Sequence, residues 1–280
     1  MSPRHREALA HLTFGLKESG GFVMLTGEVG TGKTTVSRKL LQDLSDDTQT
    51  AVILNPTLSA IELLATVCDE LGIRYETDTN SLKVFTDKIL NKLADNHANG
   101  INTVLIIDEA QHLMPEVLEQ LRLLTNLETT REKLLKVVLI GQPELQQLLR
   151  RNELRQLAQR VTARYHLLPL TKAEVALYVA HRLQVANGNP SIFTPTSLSS
   201  LFQISGGIPR VINLLCDRAM TLAYTLQKPL ITHQLVTAAS YQVLGEDIVQ
   251  QRQKELWQRI FVGSFVASIV VGLLVGGLYA

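Results

Sequence analysis

An α/β fold built on a five-stranded parallel sheet, followed by a smaller helical domain and a C-terminal apolar helix, is what the sequence predicts. Three observations lead there. Short β-branched or apolar runs alternate with amphipathic stretches over the first two-thirds of the chain; strand signals fade after Pro169; and 260–280 carries no charged residue. The 280 residues, with 45% hydrophobic and 19% charged, exceed what one small core needs and exclude collagen-like and disordered classes.

The strands are expected at 22–26, 51–54, 103–107, 137–140 and 165–168. Between the second and third, Ile61, Leu64, Ala65, Cys68 and Leu71 recur at helical spacing, opened by a Ser59/Glu62 capping box and stopped by Gly72. Another helix follows His112, with Pro115 in its first turn and Val117, Leu118, Leu121 and Leu124 on one face. Beyond Pro169, the stretches 173–185, 197–204, 211–226 and 233–244 read as helices punctuated by Pro190, Pro195, Pro209 and Gly206-Gly207. The expected division is 1–170 for the α/β domain, 171–245 for the helical one, 246–259 for a basic stalk and 260–280 for a transmembrane helix. Arg252, Lys254 and Arg259 before that apolar segment favour a single pass with the body on the cytoplasmic side. Cys68 and Cys216, the only cysteines, sit far apart in apolar helical patterns and are expected as buried thiols.

The chemistry concentrates where the first apolar run ends. Gly27-Glu28-Val29-Gly30-Thr31-Gly32-Lys33-Thr34-Thr35 has two glycines four residues apart followed by Lys-Thr, the spacing of a P-loop. Glycines let backbone N–H groups curl round phosphate, the following helix adds its positive end, Lys33 reaches the β/γ-phosphates of ATP and Thr34 ligates Mg²⁺. The third run leads directly into Asp108-Glu109, placing Asp108 to hold the Mg²⁺ shell and Glu109 to polarise the attacking water. The fourth exits into Gly141-Gln142-Pro143-Glu144, which brings Gln142 beside the acidic pair if that strand lies between the first and third. Arg155, Arg160 and Arg164 are placed before the fifth strand, as a solvated face or as a residue reaching a neighbour's nucleotide. Ser205-Gly206-Gly207-Ile208-Pro209-Arg210 starts a helix with an arginine on its first turn. The histidines show no metal-binding spacing.

Taken together, these pieces resemble AAA+ ATPases over about 20–244. More narrowly, HREALAHL, GGFVMLTGEVGTGKTT, LIIDEAQHL, LRLLTNLET, LIGQPEL, QRVTARYHLLPL and SGGIPRVINLLCDRAM are similar to the general secretion pathway protein A family. The MSHA pilus biogenesis protein M is similar over the same motifs. The resemblance implies an inner-membrane ATPase using ATP and Mg²⁺, working as a homo-oligomer with a membrane protein B-type partner to place a secretin. It puts Walker A on Gly27 to Thr35, Walker B on Asp108 and Glu109, the first sensor on Gln142 and the second on Arg210. Arg160 is its first choice for an arginine finger and Arg164 its second. Members of the family carry a further segment before HREALAHL, near the adenine, and a peptidoglycan-binding domain after the membrane helix. The sequence beginning at Met1 and ending at Ala280 is therefore expected to be a truncated form or a member without that domain, with peptidoglycan as a partner only through such a domain. Pilus biogenesis is the alternative function. A nucleotide-dependent DNA-binding role, disfavoured by the formal charge of +1, and a non-hydrolysing scaffold stand behind it.

Overall fold

Runs rich in β-branched and aliphatic residues form one parallel sheet in the computed structural model, which describes residues 2–17, 21–54, 56–76, 78–126 and 133–245. In chain order the first unit, 1–169, contains α1 (Pro3–Lys17), β1 (Phe22–Gly27), α2 (Lys33–Asp43), β2 (Thr48–Ile53), α3 (Ala60–Glu70) and α4 (Leu82–Ala98). It continues with β3 (Asn102–Ile107), α5 (Pro115–Leu124), β4 (Lys136–Gly141), α6 (Glu144–Leu148), α7 (Arg155–Ala158) and β5 (Val161–Leu167). The strand order is β2-β3-β4-β1-β5, every neighbour parallel.

Alternation along the strands sends side chains to two cores. Phe22, Met24, Leu105, Ile107, Val137 and Leu139 pack with α3, α4 and α5, whereas Val23, Leu25, Val104, Ile106, Val138 and Ile140 pack with α1 and α2. Central β1 is buried throughout, and its apolar run is legible as it stands. The edge strands are not. β2 begins at Thr48 rather than 51, and β5 at Val161 rather than 165, because outward Thr162, Arg164 and His166 alternate with inward Ala163 and Leu167. Arg164 is therefore corrected: it lies within β5, not before it.

The Ser59 hydroxyl accepts from the Glu62 N–H while the Glu62 carboxylate accepts from the Ser59 N–H, closing the expected capping box. Pro115 occupies the first turn of α5. The helix α4, which the sequence reading passed over, buries only Phe85, Ile89, Leu93 and Asn96 along a narrow stripe. Both thiols are buried and free; burial pushes Cys68 up to about 11 and Cys216 up to about 12.

The second unit, 170–280, is described to Gly245 as α8 (Lys172–Val185), α9 (Pro195–Ser205), α10 (Pro209–Thr225) and α11 (His233–Leu244). Its own core gathers Val175, Val179, Leu201, Ile212, Leu215, Ala219 and Val236. Gly207 adopts φ +76, and a Cβ there would collide with the Leu170 carbonyl, so the turn into α10 requires glycine.

The expected inner-membrane placement is corrected. No helix among the described residues is long and apolar enough to cross a membrane. Two of the longest, α4 and α10, have 17 residues each and one buried face, short of the roughly 20 apolar residues a span needs. The expected stalk at 246–259 and apolar helix at 260–280 lie outside the described residues.

Candidate nucleotide site

At the end of β1 the chain turns sharply on Gly30 (φ +82) and Gly32 (φ +103) before α2 begins at Lys33. Within the loop, the buried Thr31 hydroxyl donates to the Glu28 carbonyl at 2.8 Å. The ammonium of Lys33 folds back to donate to the Gly27 carbonyl at 2.8 Å and the Glu28 carbonyl at 3.2 Å. Burial lowers its pKa, and Glu109, Asp108, Glu28 and Glu144 act the other way.

Two strands away, β3 delivers Asp108, whose N–H donates to the Ile53 carbonyl of β2. The Thr34 hydroxyl donates to Asp108 Oδ2 at 3.3 Å, so the two expected Mg²⁺ ligands meet. Among the described residues no group of three His, Cys, Asp or Glu could hold a metal ion. One hydroxyl and one carboxylate, both hard oxygen donors, nevertheless fit an Mg²⁺ that arrives with phosphate and keeps water ligands. Burial raises the Asp108 pKa, opposed by hydrogen bonds from the Glu109 N–H and Thr34 and by Lys33.

Glu109 takes a left-handed conformation, φ +51, uncommon for a side chain with a Cβ. Because β4 lies between β3 and β1, the condition set for Gln142 is met. Its amide donates to Glu109 Oε2 at 3.3 Å, and Gln111 donates to the same oxygen at 2.7 Å. Gln111 also accepts from the Gln142 N–H at 3.0 Å, tying the two loops together. Burial works to raise the Glu109 carboxyl, but the two glutamine bonds and Lys33 hold it below its ordinary value. Gln111 escaped the sequence reading: an amide two residues past an acidic pair carries no signal until the sheet order is known.

The arginines separate. Arg160 precedes β5, whose Val161 pairs with Phe22, about 20 Å along the strands from the loop after Gly27. It donates to the Arg122 carbonyl at 3.2 Å and the Thr125 hydroxyl at 3.4 Å. Arg155 and Arg164 instead line a cavity of about 480 Å³ with Arg150, Gln146, Tyr165 and His166. From there Gln146 donates to the Thr26 hydroxyl at 2.7 Å, and that hydroxyl shares a hydrogen bond with His166 Nδ1 at 3.0 Å, a path ending one residue before the loop. Arg210 is exposed on the first turn of α10, in the second unit.

Residues 16–149 match the AAA domain family. Over 271 residues, 97% of the chain, the sequence is 55% identical to general secretion pathway protein A of Aeromonas hydrophila, and it spans about half of that protein's length, 48%. Cdc6p of Pyrobaculum aerophilum is similar in structure at 18% identity, with a TM-score of 0.68 over 86% of this chain and 68% of that one. So are the Aeropyrum pernix ORC1 protein in complex with DNA (17%, 0.60, 86% and 64%) and the Thermotoga maritima RuvB Holliday junction branch migration motor (19%, 0.57, 89% and 71%). At such identities the likeness is one of fold. With the P-loop, acidic pair and strand order on one side and the sequence match on the other, residues 16–149 match the AAA domain family and the chain is similar over nearly its whole length to general secretion pathway protein A.

Proposed function

We propose that this chain binds ATP with Mg²⁺ at the loop after β1 and hydrolyses it, and that the hydrolysis supports assembly of a secretion apparatus. The observation that carries the reading is the convergence of Lys33, the Thr34/Asp108 pair and Glu109 with Gln142 at the same ends of three adjacent parallel strands. Loop N–H groups cradle the phosphates and Lys33, released from the Gly27 and Glu28 carbonyls, pairs with the β/γ oxygens. Thr34 and Asp108 would hold Mg²⁺, which supplies charge neutralisation at those oxygens. Glu109 stays ionised at neutral pH and accepts the developing proton of the attacking water; Gln142 and Gln111 orient it. The 55% identity to a protein named for the general secretion pathway supports the cellular role, with a B-type protein of that pathway as partner and a homo-oligomer as the working form.

Two substitutions test the chemistry. Lys33→Ala should abolish nucleotide binding, because the phosphates lose the loop's only cation. Glu109→Gln should keep binding and stop turnover by at least about a hundredfold. Calorimetric titration and steady-state phosphate release measure the two; hydrolysis by Glu109→Gln at the wild-type rate would remove Glu109 from its role.

A further inference from the structure

The helix α1 places a buried imidazole against the loop. His5 shares a face with Ala8, Leu12 and Leu16, and those three pack into the core with Val23 and Leu25 of β1 and Val36 and Leu40 of α2. His5 therefore comes from a helix fixed to both elements that flank the P-loop. Its Nε2 lies 3.0 Å from the Thr31 carbonyl oxygen, and its Nδ1 lies 2.6 Å from the Ser2 hydroxyl. A carbonyl only accepts, so Nε2 carries the proton. The Ser2 hydroxyl accepts from the His5 N–H at 3.4 Å and, in contact with Nδ1, fastens the far side of the ring.

We infer that His5 is a positioning residue for nucleotide: by holding the Thr31 carbonyl it fixes the Thr31–Gly32 peptide so that the Gly32 N–H faces the phosphate cradle. A trans peptide points its C=O and N–H in opposite directions. With the carbonyl turned toward α1, the N–H of the next residue must point away from α1. Gly32, at φ +103, has no Cβ to resist a flip of that peptide, and one could not be added because it would collide with His5 Nε2. The residue that gives the loop its freedom is thus the one against which His5 packs, and the hydrogen bond supplies the restraint that the missing side chain does not. A donor aimed before the ligand arrives avoids the cost of ordering it on binding.

The inference rests on the nucleotide reading, and the test separates the two. Binding of ADP and steady-state ATP hydrolysis are measured for wild type, His5→Leu, His5→Gln and Ser2→Ala, with Lys33→Ala as the binding-null control. Leu fills the space without a donor; the Gln amide nitrogen reaches about as far as Nε2. His5→Leu should weaken ADP binding and raise KM for ATP by roughly tenfold, the scale set by a buried carbonyl left without its donor, with kcat at saturation changed less than about twofold. His5→Gln should recover most of the affinity. If His5→Leu does not fold, Ser2→Ala, which only unfastens Nδ1, still reports, with a loss of about threefold expected. Unchanged affinity in Leu and Ala variants that fold, or equal losses in Leu and Gln at equal thermal stability, would overturn the inference. Wild type binding no better than Lys33→Ala would instead overturn the nucleotide reading beneath it, and the inference with it.

Discussion

Asp108 is held against its own ionisation. Burial raises its pKa despite Lys33 and two hydrogen bonds, and a carboxyl with a folded pKa above its unfolded one favours the native state only at low pH. That contribution is fully present below the unfolded pKa and is lost as pH rises through the folded one, so at neutral pH the charge works against folding. Asp108→Asn should therefore lose turnover yet unfold at a higher temperature than wild type without nucleotide. The gap should close as pH falls into and below the ordinary carboxyl range. The rise is expected at a few degrees, on the scale of about 2–4 °C per kcal/mol for a chain of this size. Thermal scans across pH check it; a lower midpoint for Asp108→Asn at neutral pH would show that Asp108 stabilises the fold. Lys33 and Thr34 were readable from the glycine spacing of the loop after β1, and Asp108, Glu109 and Gln142 from lying within a residue or two of the ends of β3 and β4. His5 and Gln111 were not: their partners, Thr31 and Glu109/Gln142, become neighbours only through packing of α1 and the order of β1, β4 and β3.

Among the elements, those whose ends are marked by local chemistry behaved as the sequence suggests. The helix α8 opens with Thr171, whose hydroxyl accepts from the Glu174 N–H at 3.3 Å while the Glu174 carboxylate accepts from the Thr171 N–H at 2.9 Å. Thr171→Ala should cost about 1 kcal/mol and speed amide exchange in the first turn of α8, leaving β1 and β3 amides unchanged; hydrogen exchange resolved by segment measures it. Strands buried on both faces announced themselves as apolar runs, but β5 hid its first half behind exposed Thr162 and Arg164. A strand paired on one side and wet on the other reads as polar wherever its outward residues fall. The helix α4 was missed for a related reason: four buried positions among 17 residues give too narrow a stripe for periodicity to separate from a loop.

For the whole molecule, the arginines bear on whether one chain suffices. Arg160 is held by Arg122 and Thr125 at the end of the strands opposite the P-loop, while Arg164, one nitrogen of which donates to the Ala158 carbonyl, lines an open cavity with Arg155 and Arg150. We expect Arg164, rather than Arg160, to complete the site of a neighbouring copy. Hydrolysis should then rise with protein concentration, and Arg164→Ala should lower it by about a thousandfold or more. Mixing Arg164→Ala with Lys33→Ala should restore part of it, since one chain brings the intact loop and the other the arginine. Loss of activity on Arg160→Ala alone, with no complementation by Arg164→Ala, would reverse the assignment.

The sheet order also governs when the site comes into being. β4 is the fourth strand in the chain but fills the gap between β1 and β3, so the loop after β1 and the acidic pair after β3 remain unconnected until residues beyond Gly141 have joined. A nascent chain that has emerged only through Glu109 owns every residue of the P-loop and the acidic pair yet has two apolar strands without their shared neighbour. During synthesis those strand edges are open to pairing with each other or with another chain. Nucleotide can select the correct arrangement only after β4 has inserted, making ligand capture a marker of the late, long-range step of folding.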